Sequence, residues 1–350
     1  MPQPGATETA VAGVLRDRHG RVARDLRVSL TDRCNLRCTY CMPAEGLEWI
    51  PTSQHLTDEE VVRLIRIGVT MLGIRKVRFT GGEPLLRKNL ADIVARTVAL
   101  RTPDGGEVAT AITTNGVSLA RHAALLAAAG LHRVNVSLDS LDPQRYERIT
   151  RRNRLHDVLA GIEAALTSGL TPVKVNAVVT PGVNEQDIVP LAEFCLRLGL
   201  QLRFIEHMPL GPRNTWDPAT MYTAEDILRV LSRRFRLTRA QAHDKSAPAT
   251  LWQATSLDDA LPSGLIGVIP TVSTPFCGTC DRTRLTSDGA IRSCLFSHAE
   301  TDLRGLLRAG ASDADIVQAW TATMLEKPAG HGINDPDFLQ PLRTMSAIGG

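Results

Sequence analysis

Between residues 26 and 207 strand-like runs alternate with helical periods, and this alternation limits the chain to very few folds. The strand patterns are LRVSLT (26–31), KVRFT (76–80), VATAITT (108–114), RVNVSLD (133–139), PVKVNAVVT (172–180) and QLRFIEH (201–207). Helical periods lie between them at 57–72, 88–101, 118–130, 155–168 and 185–198. Thr57 is placed to cap the first helix, with Glu60 three residues later as its capping-box partner. Gly130, Gly169 and Gly199 close later ones. Repeated βα units build parallel sheets or barrels. Eight units close a full barrel; the six here predict an α/β fold, an incomplete (β/α)6 TIM-type barrel. One more helical period follows at 223–235. From about 240 to 296 the chain reads as irregular, as a C-terminal extension that caps the open barrel. The expected organisation is a flexible tail over 1–12, a partial barrel over 13–210, an extension over 211–340 and a tail over 341–350 ending Gly349–Gly350.

A parallel strand buried on both faces reads as nearly continuous Val, Ile and Leu. Several strands here alternate instead. Arg27 and Ser29 share one face of the first strand; Lys76, Arg78 and Thr80 share one face of the second. Asn135, Ser137 and Asp139, then Lys174 and Asn176, then Gln201 and Arg203 repeat the pattern. Such faces are either solvated at a sheet edge or turned into the barrel. Five strands that agree favour the barrel interior. Burying unpaired cations is costly, so that interior calls for a polar, anionic ligand. The turns after the strands carry TGGEP (80–84), TTNG (113–116), SLDS (137–140) and HMPLG (207–211), on the rim where barrels place their chemistry. Gly81–Gly82 permits close approach of a ligand, although a Gly pair also makes an ordinary turn.

The seven cysteines are not scattered. Cys34, Cys38 and Cys41 form C-x3-C-x2-C after the first strand. Cys277, Cys280 and Cys294 form a second triplet, and Cys195 sits in an apolar helical period as a core residue. The N-terminus has no apolar run of signal-peptide length, and no later run spans a membrane. The expected setting is cytoplasmic, where clustered thiols act as metal ligands before they pair as disulfides. A structural zinc site is closed by four ligands, which His55 would have to complete for the first triplet. A [4Fe–4S] cluster on three cysteines keeps one iron open to a small molecule. Two open clusters use the count directly; zinc bound by both groups is the alternative. The net charge of +3 gives no support to a nucleic-acid-binding face. There are only five lysines, Lys76, Lys88, Lys174, Lys245 and Lys327, which makes each worth following.

C-x3-C-x2-C with Tyr40 before its third cysteine, followed by GGEP behind the next strand, resembles the radical S-adenosylmethionine (SAM) superfamily. Within it the chain is similar, from about Gly13 to its end, to the GTP 3',8-cyclases of molybdenum-cofactor biosynthesis. LRVSLTDRCNLRCTYCMP, VRFTGGEPLLR, VNVSLDSL, PVKVNAVV, RFIEHMPLG and CGTCDRTRLTSDG carry that likeness. Asp281 departs from it, because the family pattern has Asn before Arg-x-Arg.

The resemblance implies two [4Fe–4S] clusters. Cys34, Cys38 and Cys41 would hold the one that binds SAM, and Cys277, Cys280 and Cys294 the one beside the substrate. It places Tyr40, Gly82, Glu83, Ser137 and Met208 at SAM. It places Arg27, Arg78, Thr113, Lys174, Arg282, Thr283 and Arg284 at GTP, with Gly349 and Gly350 entering the active site. The implied reaction is reductive cleavage of SAM to a 5'-deoxyadenosyl radical that takes the 3'-hydrogen of GTP. The C3' radical then attacks guanine C8 and, after a further electron and proton, gives 3',8-cyclo-7,8-dihydro-GTP. The implied partners are GTP, an electron donor such as flavodoxin or ferredoxin, and cyclic pyranopterin monophosphate synthase as the next enzyme. Neither nucleic acid nor a membrane is expected, and the protein would be a monomer or homodimer. A peptide-modifying radical SAM maturase and a structural zinc protein are the rival readings.

Overall fold

The computed structural model describes residues 13–213, 216–241, 244 and 246–349. The expected tail over 1–12 and the terminal Gly350 lie outside the described residues. Twelve strands form one sheet: β1 (Asp25–Ser29), β2 (Lys76–Thr80), β3 (Ala109–Thr114), β4 (Arg133–Ser137), β5 (Lys174–Val179), β6 (Gln201–Glu206), β7 (Phe235–Arg239), β8 (Thr250–Ser256), β9 (Gly264–Ile269), β10 (Arg282–Leu285), β11 (Ala290–Arg292) and β12 (Thr301–Asp302). The helices are α1 (Asp58–Leu72), α2 (Leu90–Val98), α3 (Leu119–Ala128), α4 (Pro143–Thr150), α5 (Leu155–Thr167), α6 (Ile188–Arg197), α7 (Ala224–Leu231), α8 (Leu303–Arg308), α9 (Asp313–Leu325) and α10 (Met345–Ile348).

The strand order is β12-β11-β10-β1-β2-β3-β4-β5-β6-β9-β8-β7, so β1 to β6 lie side by side in sequence order. They run parallel, and β10 and β9 add parallel strands at the β1 and β6 ends. The sheet stays open, with β12 and β7 at its edges. The six predicted strands are all present within a few residues of their expected bounds. The region from 240 to 296 departs from expectation. It is not irregular but supplies β8 to β11, and two of these strands lengthen the parallel array.

Alternation sets the core. Leu26, Val28, Val77, Phe79, Val134, Val136, Val175, Leu202 and Phe204 are buried on the face that meets the helices. Thr57 and Glu60 form the predicted capping box on α1, and Gly73 ends that helix at φ 74°. α1 buries Val61, Leu64, Ile65 and Leu72. At Gly68 its surface is bare enough for the ring of Trp320, on α9, to lie against it. Trp320 is fully buried, and its indole N–H donates to Thr283 Oγ1 at 3.1 Å. The C-terminal helices therefore pack on the same layer as the βα helices. Among the described residues no helix is long and apolar enough to cross a membrane.

Candidate active site

The loops at the C-terminal ends of the central strands hold one another by backbone contact. Gly82 N donates to Thr31 O at 2.8 Å, and Glu83 N to Arg33 O at 2.8 Å. A Cβ on Gly82 would fall inside contact distance of Arg33 O and Asp32 O, and one on Gly211 would do the same to Tyr40 O. Here the missing side chain is what lets these turns lie on the cysteine loop. Asn115 of the TTNG turn donates to Asn35 Oδ1 at 2.7 Å and reaches Cys34 Sγ at 3.7 Å. The Tyr40 hydroxyl donates to Asp139 Oδ2 at 2.8 Å, and Asp139 Oδ1 accepts from Val178 N at 2.8 Å.

Cys34, Cys38 and Cys41 are free thiols that open onto a cavity of about 310 Å³. So are Cys277, Cys280 and Cys294, which line the same cavity. Burial raises the first three thiols, Cys41 to about 12, and the neighbouring thiols add to the rise at Cys38 and Cys41. Cys280 goes the other way: burial raises it, but Lys327 and Arg282 outweigh that and bring it below its ordinary value. His55 lies 3.2 Å from Asp32 Oδ1 and does not line the cavity, so it completes no site with the first triplet.

Five arginines line the cavity between the triplets: Arg27, Arg78, Arg203, Arg282 and Arg284. Asp139 is the one carboxylate among its described lining residues. Arg78 and Asp25 approach to 3.9 Å just behind the wall. The Nε atoms of Arg27, Arg78, Arg203 and Arg282 are buried without a hydrogen-bond partner among the described residues, as are Asn135 Oδ1 and Asn176 Oδ1. Burial, then Arg78 and Arg282, bring Arg27 down to about 9. Burial, Arg133 and Arg282 bring Arg203 down to about 10. Guanidinium stays charged at neutral pH even so. The lowering comes first from burial and then from the crowding of like charges along the wall.

Tyr40, Gly82, Ser137, Met208, Thr113, Arg27, Arg78, Arg282 and Arg284 all line this cavity. Three other expected residues are placed differently. Thr283 is on the opposite face of β10, where its hydroxyl donates to Arg292 O at 3.2 Å and accepts from Trp320. The Glu83 side chain is fully buried below the rim. It accepts from Leu85 N at 3.0 Å, Thr114 Oγ1 at 2.7 Å and Asn115 N at 2.7 Å, so it ties two turns together instead of facing a ligand. Lys174 is half-buried on the cavity side of β5 but is not part of the wall. Burial, Arg203, Arg133 and Arg78 lower its ammonium to about 7.

The C-terminus does reach inside. Met345 and Ser346 line the cavity. Gly349 is buried at φ 83°, against Ser29 and Thr80, and its carbonyl accepts from Arg284 Nη1. Arg203, Asp139 and Asn176 belong to the polar faces read from the strands but not to the residues assigned by resemblance. The TTNG turn flagged Asn115, whereas nothing local flagged Lys327 as part of the site.

Comparison with known proteins fits this geometry. Residues 28–195 match the radical SAM superfamily, and residues 200–333 match the family described as Molybdenum Cofactor Synthesis C. The chain is 62% identical over 337 residues to a GTP 3',8-cyclase of Corynebacterium glutamicum, covering 96% of this chain and 89% of that one. This chain belongs to the GTP 3',8-cyclase family. A second member, from Mycobacterium marinum, is 57% identical over 345 residues, or 99% of this chain and 94% of its own. Among solved structures, Streptococcus suis SuiB bound to S-adenosylmethionine aligns with a TM-score of 0.57 at 13% identity, over 94% of this chain and 77% of that one. That likeness shows the fold alone. The cysteine spacing and GGEP turn thus identify the superfamily, and the full-length identity assigns the family.

Proposed function

We propose that the chain is a radical SAM GTP 3',8-cyclase, with SAM at a [4Fe–4S] cluster on Cys34, Cys38 and Cys41 and GTP at a second on Cys277, Cys280 and Cys294. One observation carries the reading: both thiol triplets open into a single cavity whose remaining charged wall is almost entirely arginine. The donor set fits the clusters. Each triplet is thiol only, the soft donor type that an iron–sulfur cluster takes. When bound, the first cluster supplies the one-electron cleavage of SAM that yields the hydrogen-abstracting radical.

The chain's own residues bind, orient and enclose. Tyr40, Gly82, Ser137 and Met208 border the SAM side, with Tyr40 fixed by Asp139. Glu83 acts through the turns it joins. Arg27, Arg78 and Arg203, with Lys174 nearby, offer unpaired donors to a triphosphate, which accepts them as charge-assisted bonds. Arg282, stacked over Phe276 at 4.8 Å, and Arg284, held by the tail carbonyl, stand beside the second triplet. On this reading the region after 210 caps the open sheet and carries the second cluster, and the tail seals one side of the cavity. A low-potential donor such as flavodoxin or ferredoxin supplies the electron in the cytoplasm, and cyclic pyranopterin monophosphate synthase consumes the product.

The reduced, anaerobic enzyme should transfer deuterium from 3'-deuterated GTP to 5'-deoxyadenosine. Absence of that transfer would refute the assignment. GTP binding should also take up a proton. Lys174 in the ligand-free protein has an ammonium pKa of about 7, lowered by burial and then by Arg203, Arg133 and Arg78. A triphosphate raises it again. Above about pH 7 the free lysine is neutral and must be protonated on binding, so affinity falls as pH rises. Calorimetry in buffers of different ionisation enthalpy reads the uptake, which Lys174→Met should remove.

A further inference from the structure

Lys327 follows α9 and is 2% exposed. Its ammonium donates to Arg282 O at 2.7 Å, to Cys280 O at 3.1 Å and to Cys280 Sγ at 3.5 Å. Among the described residues no carboxylate pairs with it. A buried ammonium whose acceptors are two carbonyls and one sulfur is short of an anion, and the expense of desolvating it is recovered only if that sulfur carries charge. The segment is held firmly enough for this to be a designed contact. Lys327 N donates to Met324 O at 3.1 Å. Arg21 clamps the carbonyls of Pro328 at 2.6 Å and Ala329 at 3.0 Å while donating to Cys277 O at 2.8 Å.

At the first triplet Arg37 donates to the Cys34 carbonyl at 2.7 Å and acts on that thiol through space, but among the described residues no cation donates to a sulfur there. The donors to Cys34 Sγ are neutral: Leu36 N at 3.4 Å and Asn115 Nδ2 at 3.7 Å. Cys38 and Cys41 have Tyr40 and the Ser346 backbone, again neutral. A fixed positive charge beside one cluster favours its reduced form, and hydrogen bonds to sulfur act in the same direction.

We infer that Lys327 is a positioning and tuning residue for the second cluster, holding the Cys280 thiolate and setting that cluster's reduction potential above the value it would have without the ammonium. This rests on the two-cluster reading, so the test separates the two. The anaerobically reconstituted full-length enzyme is assayed for iron and titrated by EPR-monitored potentiometry, as wild type, K327M, K327Q and K327R. The second-cluster signal is identified as the one lost in Cys294→Ala. The inference expects about eight irons in wild type. It expects a second-cluster midpoint shifted to more negative potential in K327M and K327Q, a first-cluster midpoint unmoved, and near-wild-type behaviour in K327R. If K327M loads only about four irons, the comparison of K327Q with K327R decides. The same midpoint in the neutral and charged variants overturns the inference. About four irons in wild type would overturn the two-cluster reading itself, and the inference with it.

Discussion

Cys294→Ser should abolish GTP turnover while leaving SAM binding intact, a loss of at least about 10³-fold in cyclisation. The division follows from the cavity's layout. Cys294 belongs to the triplet at 277–294, on a segment separate from the cysteine loop at 34–41. The loop that holds the first triplet is braced by Gly82, Asn115 and Asp139, which come from other strand ends and are untouched by the substitution. A serine hydroxyl is a poor ligand for a soft iron site, so the second cluster should be lost or mis-seated. Arg282 and Arg284 would then lose the anionic neighbour around which they stand. The expected outcome is equilibrium binding of SAM like wild type, slow uncoupled 5'-deoxyadenosine formation under strong reductant, and no cyclised nucleotide. Full turnover in this variant would remove the second triplet from the substrate site.

Much of this was legible in the chain because the signals were local. Thr57 and Glu60 stand three apart on one helix end, and the structure forms the cap they predict. Arg27 and Arg78 were out of place among Val and Leu, and strand parity alone sent them inward. Parity also divides Arg282, Thr283 and Arg284, which the resemblance groups as a block: a strand turns alternate residues to opposite faces, and the Thr283 side chain meets Trp320. Strands β8 and β9 are not legible locally, because TLWQATS and GLIGVI do not alternate cleanly and sit among turn residues. Their pairing with β6 and β7 is a non-local fact. Lys327 was conspicuous only as one of few lysines. Its partner Cys280 lies 47 residues away, and no spacing rule joins them.

Arg27→Met should weaken GTP binding by about 10- to 100-fold, the loss of about 1.5–3 kcal/mol for a charge-assisted bond, and yet leave the ligand-free fold as stable as before or more so. The two effects have one cause. In the ligand-free protein Arg27 is half-buried in the cavity wall, its Nε is buried with no partner among the described residues, and Arg78 and Arg282 repel it. Methionine fills much of the same space without that repulsion, and apolar replacement of a poorly compensated buried charge is often neutral or stabilising. Arg78→Met should behave differently. Arg78 faces Asp25 at 3.9 Å, and Asp25, which burial pushes up, is held below its ordinary value chiefly by Arg78 and then by Arg27 and Arg282. Removing Arg78 leaves that carboxylate under-compensated, so affinity and ligand-free stability should fall together. Thermal unfolding of the two variants with and without GTP, alongside calorimetric titration, distinguishes the pair. Equal destabilisation by both substitutions would mean that the cations support the fold, and the wall of arginine would no longer argue for a triphosphate.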